Sequence, residues 1–66
     1  MPITHIHLLE GRSAEQKQDL IQNVTQAITH TLETAPEQVR VLLIEIPKEN
    51  WGTGGVTKAQ LDELGK

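Results

Sequence analysis

Pro2, directly after the initiating methionine, Arg12, Arg40 and Trp51 are the residues of this chain whose types and spacing can do chemistry. Inside a peptide chain a proline nitrogen is an amide, and Pro2 would be only a strand's first residue, a position proline tolerates because it has no N–H to give a sheet ladder. If Met1 is removed after synthesis, the ring nitrogen becomes a free secondary amine, which is a base. An α-amino group titrates near about 7.7–8.0 and a prolyl amine is more basic, so free in water it is mostly protonated at neutral pH. Neighbouring guanidinium groups, with an apolar wall from Trp51, Ile3 or Leu9, disfavour the ammonium form and bring the amine towards a working range. Arginine stays charged and grips a carboxylate with two parallel bonds. Placed beside a carbonyl, Arg40 also stabilises the negative charge that develops on oxygen during enolisation.

The elements that must position these groups follow from the pattern. Pro2 to Leu9 is rich in β-branched and apolar residues and reads as a strand, with Pro2, Thr4, Ile6 and Leu8 on one face and Ile3, His5, His7 and Leu9 on the other. "EGRS" breaks it, and Ser13 with Gln16 three positions on has the form of a capping box, predicting a helix from about Ala14 to Glu33. Ala14, Leu20, Ile21, Val24, Ala27, Ile28, Thr31 and Leu32 fall in one sector of that helix, while Gln18, Asp19, Gln22, Thr25, Gln26, Thr29 and Glu33 fall opposite. Lys17 lies within the apolar sector, where its stem can run along the surface and its ammonium reach water. Pro36 ends the helix. "VRVLLIEIP" is a second strand whose apolar density predicts burial on both faces, with Glu45 expected to pair with a basic group. "KENWGTGG" is a turn or short hairpin and is not a dinucleotide fingerprint, because the G-x-G-x-x-G spacing is missing. The tail from Val56 carries no assignment.

Strand, helix and strand make an α/β chain, a single βαβ unit with parallel strands and a short C-terminal hairpin or turn, forming one domain over residues 1–66. Two parallel strands leave two open edges and an uncovered face. At 66 residues without cysteine, the remaining source of stability is oligomerisation into shared sheets. The cysteine-free composition and the lack of a signal-like or membrane-length apolar run point to the cytoplasm and to no membrane partner. A net charge of −3, no basic cluster and a single aromatic residue argue against nucleic acid as a partner.

"PITHIHLLEGRSAEQKQDLI", "VRVLLIE" and the "WGTGG" turn together resemble the 4-oxalocrotonate tautomerase family in its small-subunit form, within the tautomerase (MIF-like) fold; the likeness runs without gaps from Pro2 to Gly55. That resemblance implies a homohexamer, a trimer of dimers, which interconverts enol and keto forms of unsaturated 2-oxo acids such as 2-hydroxymuconate without a cofactor. It implies that Pro2, once terminal, moves a proton between an enol oxygen and a remote carbon. It also implies that Arg12 binds a far carboxylate, and that Arg40, from a neighbouring subunit, holds the carboxylate and carbonyl oxygen near the reacting carbons. Where the family usually has a phenylalanine wall, this chain has Trp51, which adds volume and an N–H donor; Leu9 is expected on the same apolar lining.

Other readings are weighed on the same residues. His5 and His7 share a strand face but lack the further ligands a zinc site needs, so no metal is expected. The related haloacrylate hydratases use an additional arginine and a water-activating glutamate, whose places fall near Leu9 and Thr53 here, neither suitable. If Met1 is retained, Pro2 stays an amide and the chain is a non-catalytic oligomeric module.

Overall fold

The computed structural model describes residues 1–65, and Lys66, the end of the tail, lies outside them. Along the chain come β1 (Ile3–Leu9), α1 (Ala14–Leu32), β2 (Arg40–Ile46), β3 (Gly52–Thr53), β4 (Val56–Thr57) and α2 (Lys58–Leu64). β1 and β2 are parallel, in register from Ile3 opposite Arg40 to Leu9 opposite Ile46, and α1 is the crossover between them. The ladder starts at Ile3 rather than Pro2 because Pro2 has no N–H, although its carbonyl still accepts from the Arg40 N–H at 3.0 Å.

α1 begins where the capping box places it: the Gln16 N–H donates to Ser13 Oγ and the Ser13 N–H to Gln16 Oε1, both at 3.1 Å. It ends one residue short of the expected Glu33, which takes the left-handed conformation (φ 54°) as C-cap and donates its N–H to Thr29. A 3-10 turn at Pro36–Gln38 then leads into β2.

The helix lies over one face of the strand pair. Pro2, Thr4, Ile6 and Leu8 of the first segment, with Val41 and Leu43 of β2, are half-buried or better. Above them Lys17, Leu20, Val24 and Ile28 form the covered stripe of α1. That stripe is narrower than the periodicity predicts: Ile21 and Leu32 are left exposed, while Thr25 and Thr29, expected on the polar face, are half-buried. Two strands offer too little surface to cover a whole helix sector, and both threonines satisfy their hydroxyls on carbonyls of their own helix, Ile21 at 2.7 Å and Gln26 at 3.0 Å. Lys17 Nζ bridges α1 to β2 by an ion pair of 3.0 Å with Glu45 Oε1. Partly exposed pairs of this kind contribute about 0–1 kcal/mol.

The other face of the sheet carries Ile3, His5, His7 and Leu9 beside Arg40, Leu42, Ile44 and Ile46. The expected two-sided burial of β2 is not met within one chain: Leu42 is 46 % exposed and, across from Arg40, Ile3 is 58 % exposed. On this face Ile3, His5, His7, Arg40 and Leu42 are exposed, while Leu9, Ile44 and Ile46 are half-buried.

The C-terminal segment forms an arm. β3 and β4 pair antiparallel around Gly54 and Gly55, whose φ of 63° and 84° the tight turn requires. The unassigned tail folds as α2, capped by Thr57: the Gln60 N–H donates to Thr57 Oγ1 at 3.1 Å and the Thr57 N–H to Gln60 Oε1 at 2.9 Å. Asp62 then accepts from Lys48 at 3.0 Å and Lys58 at 2.8 Å, fastening α2 to the 3-10 turn at Lys48–Asn50.

The chain extends over 46 × 23 × 14 Å with a radius of gyration of 15.5 Å. A compact globule of this length has a radius near 11 Å. It exposes 5048 Å², against roughly 4,200 Å² for a folded monomer of its mass. Leu8 and Val39 are the only buried hydrophobic residues among those described.

Hydrogen bonds from Lys58, then Lys48, hold the Asp62 carboxyl below its ordinary value of 3.8. A carboxyl depressed in the folded state contributes above its unfolded value, and the contribution is lost as pH falls through the folded one. Loosening of the arm is therefore expected below pH 3.8. Trp51 fluorescence titrated from pH 5 downwards should show this transition in the wild type and lose it in Asp62→Asn.

Candidate active site

The strand pair sorts the singled-out residues into two groups. Pro2 and Arg40 sit together where both strands begin, joined by the hydrogen bond between the Arg40 N–H and the Pro2 carbonyl. Leu9 and Arg12 lie where the strands end, at the Glu10 N–H donating to the Ile46 carbonyl at 3.1 Å, and Trp51 follows β2 beyond that same end. At ~3.3 Å per residue the rise from Pro2 to Leu9 is about 23 Å, and Arg12 lies beyond that. One chain therefore does not bring Pro2 and Arg12 to a common small molecule, and the described residues enclose no pocket.

Each arginine is held locally in the same way. Arg12 Nη1 donates to the Leu9 carbonyl at 3.2 Å, and Arg40 Nη1 to the Glu37 carbonyl at 2.8 Å, in both cases three residues back along the chain. Among the described residues neither guanidinium pairs with a carboxylate. Both keep donors facing solvent for an anionic partner. Pro2 is half-buried while Met1 ahead of it is 74 % exposed. Trp51 is half-buried, and its carbonyl accepts from the Lys58 N–H at 2.7 Å, which links the ring's position to the hairpin and α2. Ile3, considered with Trp51 and Leu9 as an apolar wall, lies at the opposite end of the strands from them in one chain.

Sequence reasoning passed over Gly11 and the carbonyls that seat the arginines. Gly11 adopts φ 122°, which side-chain-bearing residues rarely take, and so turns the chain from β1 towards Arg12 and the Ser13 cap. The signal was present in "EGR", where the glycine immediately precedes the charged residue. Among the described residues no three His, Asp or Glu side chains converge.

A βαβ chain that leaves one sheet face largely exposed, with Pro2 and Arg40 at one end of its strands and Arg12 at the other, defines a small α/β subunit with its charged groups at the strand ends. Comparison with known proteins agrees with that class and narrows it. The family model described as tautomerase enzyme matches residues 2–61. A 2-hydroxymuconate tautomerase of Pseudomonas putida is 44 % identical over 62 residues, which cover 94 % of this chain and 98 % of that one. Among solved structures, a 4-oxalocrotonate tautomerase isozyme of Methylibium petroleiphilum superposes with a TM-score of 0.91 at 38 % identity, covering 96 % of this chain and 98 % of the other. The heterohexameric 4-oxalocrotonate tautomerase of Chloroflexus aurantiacus superposes at 0.85 with 34 % identity, covering 92 % and 98 %. The chain belongs to the tautomerase family, and it is an isomerase of the keto–enol kind.

Nothing lies within 4 Å of a Cβ placed on Gly11, so a substitution there meets no clash and acts through the backbone alone. Gly11→Ala should destabilise the protein by about 1–3 kcal/mol, read by urea unfolding; an unchanged midpoint would show that the turn is not held in this conformation.

Proposed function

We propose that this tautomerase ketonises unsaturated 2-hydroxy acids of the 2-hydroxymuconate type, with Pro2 as the base and acid after removal of Met1. The amine takes the proton of the enol hydroxyl and returns it to a carbon of the conjugated chain, so the net change is isomerisation without redox and without a cofactor. Arg40 binds the carboxylate and carbonyl oxygen at the reacting end and takes up the charge that develops there. Arg12 anchors the remote carboxylate, and Trp51 with Leu9 forms the apolar lining that disfavours the ammonium form of Pro2.

The observation that carries this reading is the separation of Pro2 and Arg12 by the whole of β1, together with guanidinium forks that no carboxylate among the described residues occupies. Both groups meet one substrate only if a second copy presents its Arg12 beside Pro2. The relative named 2-hydroxymuconate tautomerase and the heterohexameric neighbour support a dicarboxylate substrate and a hexamer. For this chain we read a homohexamer, a trimer of dimers. No helix among the described residues is long and apolar enough to cross a membrane, and we place the enzyme in the cytoplasm.

Intact mass and ketonisation of 2-hydroxymuconate, measured on the same sample, test the reading together. Protein lacking Met1 should be active, and Pro2→Ala should lose about 10²–10⁴ in kcat. Processed wild type without activity would refute the assignment and leave an inert oligomeric module.

The two arginines should separate kinetically. Arg40→Ala should lower kcat by about 10²–10³, the range for removing a donor that stabilises a developing oxyanion. Arg12→Ala should mainly raise KM for dicarboxylates and leave monocarboxylates nearly unchanged, and equal losses for both substrates would count against its role.

A further inference from the structure

We propose that Asp62 is a positioning residue for Trp51: by holding Lys48 and Lys58 on its two carboxylate oxygens, it fixes from both sides the backbone that carries the indole, and so sets where the apolar wall of the site stands against substrate. The inference rests on the place given to Trp51 in the lining proposed above. Asp62 acts through Trp51 and is not itself a catalytic residue.

Four contacts close a circuit around this one carboxylate. The Trp51 N–H donates to the Lys48 carbonyl at 3.4 Å, and the Trp51 carbonyl accepts from the Lys58 N–H at 2.7 Å. The two residues whose main chain holds Trp51 are therefore Lys48, before it in the 3-10 turn, and Lys58, after it at the start of α2. Their side chains meet again on Asp62, Lys48 Nζ at 3.0 Å from Oδ2 and Lys58 Nζ at 2.8 Å from Oδ1. Trp51 and Asp62 thus stand at opposite points of the circuit. A tryptophan side chain has only two torsions, so fixing its backbone largely fixes the place of the ring.

The clasp matters because apolar burial does little to attach α2. Neither α2 nor the 3-10 turn at Lys48–Asn50 contains a buried residue. The half-buried positions of α2 are Lys58, Ala59 and Asp62, which share one side of the helix, whereas Leu61 and Leu64 are exposed. The covered side is charged at two of its three positions, and its one apolar side chain is small. A helix of seven residues is also too short to persist unaided. The Thr57 box secures its first turn, and Asp62 ties its later turn back to the segment before Trp51. Glu49 and Glu63, the other charged side chains of these two elements, form no ion pair among the described residues, so both lysines depend on Asp62.

The expected effect is local. Partly exposed ion pairs add little to global stability, and the helix-covered sheet does not involve this arm. An apolar wall contacts substrate in the ground state and the transition state alike, so displacing it raises KM more than it lowers kcat.

Ketonisation of 2-hydroxymuconate at neutral pH by protein lacking Met1 tests this in a double-mutant cycle of Asp62→Asn and Trp51→Ala. Asp62→Asn should raise KM about three- to tenfold and leave kcat within about twofold. Asp62→Glu, which keeps the carboxylate, should recover most of that loss. In the Trp51→Ala background Asp62→Asn should have no further effect, because the ring through which it acts is gone. The emission of Trp51, the only tryptophan of the chain, should move to longer wavelength in Asp62→Asn and return in Asp62→Glu. An unchanged KM in Asp62→Asn, equal losses in Asp62→Asn and Asp62→Glu, or the same rise with and without the indole would overturn the proposal. The Trp51→Ala variant keeps the two readings apart. Raised KM there with none in Asp62→Asn removes only this inference, whereas a wild-type KM in Trp51→Ala, or a processed wild type without activity, removes the site reading and the inference with it.

Discussion

A strand pair with one helix has only one covered face, and everything else in this protein depends on that shortage. The less covered side of β1 and β2 presents Ile3 and Leu42 to water, the edges present unpaired main-chain groups, and the buried core among the described residues reduces to Leu8 and Val39. A chain of 66 residues carries more apolar surface than a single helix can cover, which is the condition under which small domains draw stability from association. Apolar positions that look misplaced in isolation, such as Leu42 on the sheet and Leu61 and Leu64 on α2, belong to this same shortage.

Tautomerase chemistry uses the arrangement rather than merely tolerating it. On the proposed reading a conjugated diacid would meet charge recognition at both ends and a base between them, and a two-stranded unit has its polar loops at the two ends of its strands. Local structure prepares each group before any assembly occurs. Gly11 turns the chain so that Arg12 follows the strand, and the carbonyls of Leu9 and Glu37 seat the two guanidinium groups. The Thr57 box and the Asp62 clasp give the Trp51 turn a fixed backing. Preparation of this kind lowers the conformational freedom lost when the substrate arrives.

The βαβ unit was legible because its signals are local and repeat at the right period. Ser13 and Gln16 placed the helix start, alternation along β1 divided its faces, and the Lys17–Glu45 ion pair was foreshadowed by a lysine in an apolar sector and a glutamate in an apolar strand. The tail went unassigned although Thr57 and Gln60 repeat the spacing of Ser13 and Gln16, because eleven residues give too few turns for a periodicity to emerge. What the residue pattern could not supply was distance. Pro2, Arg12 and Arg40 read as one constellation along the chain, and only the parallel register shows that two of them share an end and the third does not. The width of the covered stripe on α1 was equally hidden, because it depends on how many strands lie beneath the helix.

The placement of Pro2 and Arg12 at opposite ends of β1 also has a meaning in genetics. If each site draws its base from one chain and its far anchor from another, a chain damaged at Pro2 still lends a sound Arg12 to its neighbour, and the reverse holds for a chain damaged at Arg12. Two alleles, each inactive by itself, then complement when expressed together: random mixing in equal amounts leaves about a quarter of the sites with both groups intact. An enzyme this small thus inherits its defects as a population of sites rather than as a population of chains.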